Sequence, residues 1–160
     1  MKLLLAAVGR LKAGPERELF DRYAKRAAAL AGPAGLTGVS FREIDEGRAR
    51  DRDERRAAEA KALAEVAGKG AFICALDERG AAATSAGWAQ EIARTRDAGV
   101  AVYAVAIGGP DGFDPEFRRA ARSTVAFGAL TWPHQLVRVM AAEQIYRSLT
   151  ILTGHPYHRA

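Results

Sequence analysis

Strand-like runs alternate with helical spacing along this chain, and that alternation restricts the fold more than any other feature. Residues 2–8 read as a buried strand. From about Pro15 to Leu30, the residues Phe20, Tyr23, Ala24, Ala27 and Ala28 fall on one helical face, and Gly32-Pro33 stops the helix. Val39 to Ile44 alternates apolar and polar, as a half-buried strand does. The charged run Glu46 to Arg56 leads into a helix on which Ala60, Leu63, Ala64 and Ala67 share a face. Ala71 to Leu76 is a wholly apolar third strand, and Ser85 is placed to cap a helix carrying Trp88, Ala89 and Ile92 inward. Val100 to Ile107 is the most strand-like run. Asp114-Pro115-Glu116 is a helix start, Thr124 to Leu130 a fifth strand, and about Gln135 to Leu152 the last helix. Alternation of this kind predicts an α/β fold: one mostly parallel sheet with helices on both faces. At 160 residues, the expectation is a single domain over residues 1–160.

Within that pattern, Val105 to His134 carries the strongest site signal. Two apolar runs each break into a turn, Gly108-Gly109-Pro110-Asp111-Gly112 and Phe127-Gly128-Ala129-Leu130-Thr131-Trp132-Pro133. Turns at the carboxyl ends of parallel strands are where such sheets bind small molecules, and glycine lets a ligand approach the main chain closely. The usual nucleotide loops are excluded. Gly9 to Gly14 has the spacing of a phosphate loop, but Pro15 stands where its lysine must be. No G-x-G-x-x-G follows any strand.

The remaining candidates are few. Cys74 is the only cysteine, so no intramolecular disulfide forms, and its apolar run marks it as a small buried hydrophobe. His155 and His158 lack the further ligands of a zinc site, so no metal is expected. Leu3 to Val8 is too short for a signal sequence, and no run reaches the length of a membrane span, so a cytoplasmic protein is expected. The net charge of +5 favours a polyanionic partner. Arg118, Arg119 and Arg122 are candidate phosphate contacts, whereas Arg48 to Arg56 is interleaved with acids and reads as a solvated face. The tail His155-Pro156-Tyr157-His158-Arg159 offers an aromatic ring, two imidazoles and a guanidinium, a set suited to stacking a base and holding its phosphate. The last helix has two apolar stripes, one through Val137, Met140, Ala141, Ile145, Leu149 and Leu152, the other through Val139, Ala142 and Tyr146. One stripe is expected on the sheet, the other on a second copy of the chain.

The glycine turn, Ala129-Leu130-Thr131-Trp132-Pro133-His134, Val137-Arg138, Glu143-Gln144-Ile145-Tyr146-Arg147 and the His155–Arg159 tail, in that order and spacing, resemble the ribosomal large subunit methyltransferase H family of SPOUT-class enzymes. The resemblance covers the whole chain. It implies a C-terminal trefoil knot, a homodimer, S-adenosyl-L-methionine as cofactor, and methylation of N3 of a pseudouridine in 23S rRNA of the assembled ribosome. It places Leu76, Gly108, Phe127, Gly128, Ala129, Leu130, Thr131 and Trp132 at the cofactor, with Tyr157, His158, Arg159 and His134 as catalytic candidates. The family often has leucine and serine where Phe127 and Gly128 stand, and leucine where Trp132 stands. With the resemblance in hand, Arg118, Arg119, Arg122 and the Arg48–Arg56 segment are expected on RNA backbone. The competing class is a non-enzymatic ribosome-binding or assembly factor, which explains the charge and the tail but not the two turns together.

Overall fold

A computed structural model describes residues 1–159. The elements run β1 (Lys2–Val8), α1 (Pro15–Leu30), β2 (Gly38–Ile44), α2 (Arg52–Ala67), β3 (Phe72–Ala82), α3 (Ser85–Asp97), β4 (Val102–Ile107), α4 (Pro115–Ala120), β5 (Ser123–Ala126) and α5 (His134–Leu152). The strands form one sheet in the order β2-β1-β4-β3-β5, parallel throughout. The expected α/β architecture is therefore the observed one. Successive residues of β1 take opposite faces, as a strand requires. Leu3, Leu5 and Ala7 join Phe20 of α1, Trp88 and Ile92 of α3 and Ile145 and Leu149 of α5. Leu4, Ala6 and Val8 join Leu63 and Ala67 of α2 and Phe117 of α4. Both faces are covered, which is why β1 and β4 are apolar almost end to end.

The boundaries differ from expectation at three places. β5 stops at Ala126 rather than Leu130, because Gly128 turns the chain with φ +101° and Pro133 follows. β3 runs on past Leu76 to Ala82. Its pairing with β5 is interrupted between Leu76 and Ala81, where the polar Asp77-Glu78-Arg79 breaks the apolar signal. Thr84, not Ser85, caps α3 by accepting from the Gly87 N–H at 3.0 Å. The Ser85 hydroxyl instead donates to Gln144 of α5 at 2.8 Å.

α5 packs between α1 and α3 over the sheet, and Ala141, Ala142, Ile145 and Leu149 are fully buried. Both of its apolar stripes are thus largely covered within the chain, so they carry no argument for a second copy. Cys74 is fully buried, and burial pushes its thiol up to about 11. It is core, in keeping with its apolar run.

Gly80 is the tightest point of the sheet edge. A Cβ there would lie 2.5 Å from the Val125 carbonyl carbon and 2.8 Å from the Ala126 nitrogen. Gly80→Ala is expected to push β5 away and lower stability by about 1–3 kcal/mol in urea unfolding. An unchanged midpoint would show that β5 does not need the close approach.

Candidate active site

The carboxyl ends of β3, β4 and β5 open into one cleft of about 410 Å³, a size that suits a small organic ligand. Each wall follows from local sequence. After Ile107 the chain makes the turn Gly109-Pro110-Asp111-Gly112, closed by the Gly112 N–H donating to the Gly109 carbonyl at 3.0 Å, with Gly112 at φ +77°. Proline at the second place and glycine at the fourth are what such a turn favours. Asp114 then caps α4, accepting from the N–H groups of Glu116 at 2.8 Å and Phe117 at 3.0 Å. The opposite wall is the turn after β5. The Trp132 indole N–H closes it by donating to the Phe127 carbonyl at 3.1 Å.

His134 joins the two walls. Its Nε2–H donates to the Gly108 carbonyl at 2.6 Å, and its Nδ1 faces the Arg138 guanidinium at 3.4 Å. A guanidinium has no acceptor, so Nδ1 is the acceptor and Nε2 carries the proton. Burial and the neighbouring Arg138 charge lower the His134 pKa, with the Gly108 hydrogen bond opposing them. The ring is thus held neutral in one tautomer.

Two further groups lie beneath the glycine turn, and one of them, Arg55, is bonded to it. Arg55 of α2 donates Nε–H to Asp111 Oδ2 at 2.8 Å, and its Nη1 donates to the carbonyls of Ala49 and Arg50. That hydrogen bond lowers the Asp111 pKa and raises that of Arg55. Glu59, 5% exposed, accepts the Gly47 N–H at 2.8 Å and lies against Gly109, where a Cβ would meet Glu59 Oε2 at 2.7 Å. Charge counting along Arg48–Arg56 makes Arg55 a solvated side chain or an RNA contact. It is neither free nor outward-facing, because the fold brings Asp111 to it from 56 residues away.

Of the residues expected at the cofactor, Leu76, Gly108, Phe127, Gly128, Leu130, Thr131 and Trp132 line this cleft, and His134 lines it too. Ala129 is exposed and stands outside that lining. Arg56, Asp77 and Arg118 also line it, and none of these was expected there. The tail lies elsewhere. Tyr157 borders a separate groove on the other side of the Val125–Gly128 segment, with Tyr23, Met140 and Glu143. Its hydroxyl donates to Glu143 Oε1 at 3.0 Å, and its ring lies 4.7 Å from that of Tyr146 and 5.0 Å from the Arg147 guanidinium. Burial, with Tyr23 and Glu143 beside the hydroxyl, raises the Tyr157 pKa, so the phenol stays protonated. The His158 Nδ1 is buried with no hydrogen-bond partner among the described residues, and Arg159 is exposed. A single chain does not bring the tail to the cleft. Among the described residues no group of three or more His, Cys, Asp or Glu side chains is set to hold a metal ion, and no helix is long and apolar enough to cross a membrane.

The His134 arrangement sets a direction for pH. The unfolded imidazole takes its proton near 6.5, and the folded one only at lower pH. Below 6.5 the unfolded state therefore binds more protons, and stability falls as pH drops through that range. His134→Asn should flatten this part of the stability profile in denaturant titrations between pH 5 and 8. An identical slope in both proteins would mean that His134 is not the linked group.

A comparison with known sequences fits this geometry. The family described as Predicted SPOUT methyltransferase matches residues 1–158. A ribosomal RNA large subunit methyltransferase H from Nitrobacter winogradskyi is 54% identical over 159 residues, covering 99% of both chains. Its namesakes from a Bradyrhizobium species and from Rhodopseudomonas palustris are 52% and 51% identical over 160 residues, covering 100% of this chain and 99% and 100% of theirs. The chain belongs to the SPOUT methyltransferase family, among the ribosomal RNA large subunit methyltransferase H proteins.

Proposed function

We propose that this protein uses S-adenosyl-L-methionine to methylate N3 of a pseudouridine in 23S rRNA of the assembled ribosome, in the cytoplasm. The observation that carries the reading is the junction of the two turns: the Gly108 loop and the Phe127–Trp132 loop face each other across one cleft, and His134 ties them. The donor set fits the cofactor. Gly108 packs so closely that a Cβ would meet Gly112 at 3.2 Å and the Phe113 ring at 3.3 Å, and apolar Leu76, Ile107 and Val125 stand beside main-chain polar groups. Leu76, Gly108, Phe127, Gly128, Leu130, Thr131 and Trp132 would hold it, with Ala129 contributing main chain only. When bound, the cofactor supplies an activated methyl group.

The chain's own task is alignment and handling of the N3 proton. Fixed geometry can lower a barrier by about 7–11 kcal/mol, and a placed base adds roughly 10²–10⁴-fold. In our reading the chain is a homodimer, and the partner's tail presents the nucleoside at the cleft. Exposed Leu130 and Trp132 at the cleft, with exposed Leu136 on α5, supply apolar surface for that contact. Tyr157, with its phenol held protonated, suits stacking and orientation. Arg159, which is exposed, suits phosphate, and His158 is the candidate for the proton. His134 serves better as the clamp on Gly108 than as base, since both its nitrogens are engaged. The knot would arise where the segment from β5 passes the Gly108 loop and returns as α5 between α1 and α3. Among the arginines, Arg48, Arg50, Arg119 and Arg122 are exposed and suited to RNA phosphates.

Removal of residues 157–160 should abolish methylation of ribosomes while leaving cofactor affinity largely intact in calorimetry. Normal activity of that truncation would sink the tail assignment. Gly108→Val should weaken cofactor binding by about 1–3 kcal/mol through overpacking. If the unaltered protein binds no S-adenosyl-L-methionine, even with ribosomes present, the assembly-factor reading takes over. Neutralising Arg119 or Arg122 should lower the salt slope of RNA binding by about one for each phosphate that the arginine no longer neutralises.

A further inference from the structure

Charged side chains line the cleft, and most are already committed. Asp111 is held by Arg55 at 2.8 Å, and Arg56 by Asp53 at 2.6 Å. Glu78 and Arg79 are exposed. Asp77 and Arg118 are different. The Asp77 side chain, immediately after Leu76, is 11% exposed, and that of Arg118, on α4, is 32% exposed. Asp77 Oδ2 and Arg118 Nη1 lie 3.8 Å apart, beyond hydrogen-bond distance. Asp77 Oδ1 accepts the Arg79 N–H at 2.9 Å, which fixes the carboxylate in place. The Arg118 guanidinium makes no hydrogen bond among the described residues. An anion and a cation thus stand side by side in the cleft, each with capacity left for another partner.

We infer that Asp77 and Arg118 form a receptor for the α-amino-acid end of the ligand, Asp77 taking its ammonium and Arg118 its carboxylate. The inference rests on the cofactor reading above, since S-adenosyl-L-methionine and its demethylated product both end in that zwitterion. A zwitterion entering a cleft loses water from both charges, and the loss is offset only if a group of opposite sign meets each one. A guanidinium can offer two parallel N–H groups to a carboxylate, and a carboxylate accepts readily from an ammonium. Had the two side chains closed into a bidentate pair, neither would have been free for this. Their separation leaves both open while keeping their charges matched before the ligand arrives.

The test compares two ligands that share the adenosine and a neutral thioether sulfur. S-adenosylhomocysteine carries the amino-acid end, and 5′-methylthioadenosine lacks it. In calorimetric titrations of the full-length protein, Arg118→Ala and Asp77→Asn should each weaken S-adenosylhomocysteine about ten- to a hundredfold, the loss typical of one charge-assisted hydrogen bond. Binding of 5′-methylthioadenosine should stay close to that of the unaltered protein, which also reports that the cleft is folded. Arg118→Lys, which keeps the charge but not the fork, should fall between. Equal weakening of both ligands would make the pair a structural tie between β3 and α4 and overturn the inference, as would no change in either. Binding of neither ligand by the unaltered protein would remove the cofactor reading itself, and this inference with it.

Discussion

The Arg138 guanidinium, near the start of α5, is the interaction on which the rest of the site depends. Its side chain is 4% exposed, yet it carries a full charge. It donates to the Val8 carbonyl at 2.5 Å, lies 3.4 Å from Glu43 and faces His134 Nδ1. A buried charge is tolerable only when paired and hydrogen-bonded, and removing one partner of such a pair costs about 3–5 kcal/mol. Glu43 in turn accepts the Leu11 N–H at 2.8 Å and pairs with Arg17 of α1 at 3.2 Å. The ends of β1 and β2, the start of α1 and the start of α5 are therefore locked into one polar cluster. Gly9 belongs to it by necessity: it has φ +88°, and a Cβ there would sit 2.8 Å from Glu46 and 3.1 Å from Arg138.

That cluster matters because α5 works as a lever. Its far half is anchored in the core by Ile145 and Leu149, both fully buried, each contributing about 1.5–3 kcal/mol. Arg138 fixes its near half laterally. Its first residue, His134, then has one place to go, and meets the Gly108 carbonyl. The turn after β5 and the turn after β4 thereby share one rigid support, although neither hydrogen-bonds the other directly through its own strand. Precision at the cleft comes from packing several turns away, which is the usual way a loop-built site is made exact enough for chemistry.

The architecture was legible because the parallel sheet imposes apolar runs of strand length on β1, β3 and β4, and because proline, glycine and capping residues mark the helices. The two turns were legible for the same reason: Gly108–Gly112 and Gly128 are where the backbone must do what other residues resist. What sequence reasoning missed was long-range pairing. Nothing near Arg55 announces Asp111, and nothing near Glu59 announces the Gly47 N–H that it accepts. Arg138 did leave a signal, since an arginine between Val137 and Val139 on an apolar helix asks where its charge is neutralised. Asp77 was hidden by its neighbours, because a polar triplet after an apolar strand reads as a loop and not as the continuation of β3 across a bulge. The second stripe of α5 misled in the opposite sense. In an α/β layer, a helix flanked by two others buries more than one face without any partner chain.

The arginines show how one residue type is divided between fold and surface. Arg138, Arg17 and Arg55 are turned toward carboxylates of other elements, Arg138 and Arg17 sharing Glu43 and Arg55 taking Asp111. Exposed side chains such as Arg48, Arg50 and Arg122 contribute to the net charge of +5. These are exposed and have no carboxylate within ion-pair distance among the described residues. Surface charges of this kind contribute little to stability but extend a field of about 8–10 Å at physiological salt. The charge available to a polyanion is thus carried by residues that do not build the cleft. Attraction of a large anionic substrate and alignment within the cleft can therefore vary independently, the first with ionic strength and surface arginines, the second with the buried network around Arg138.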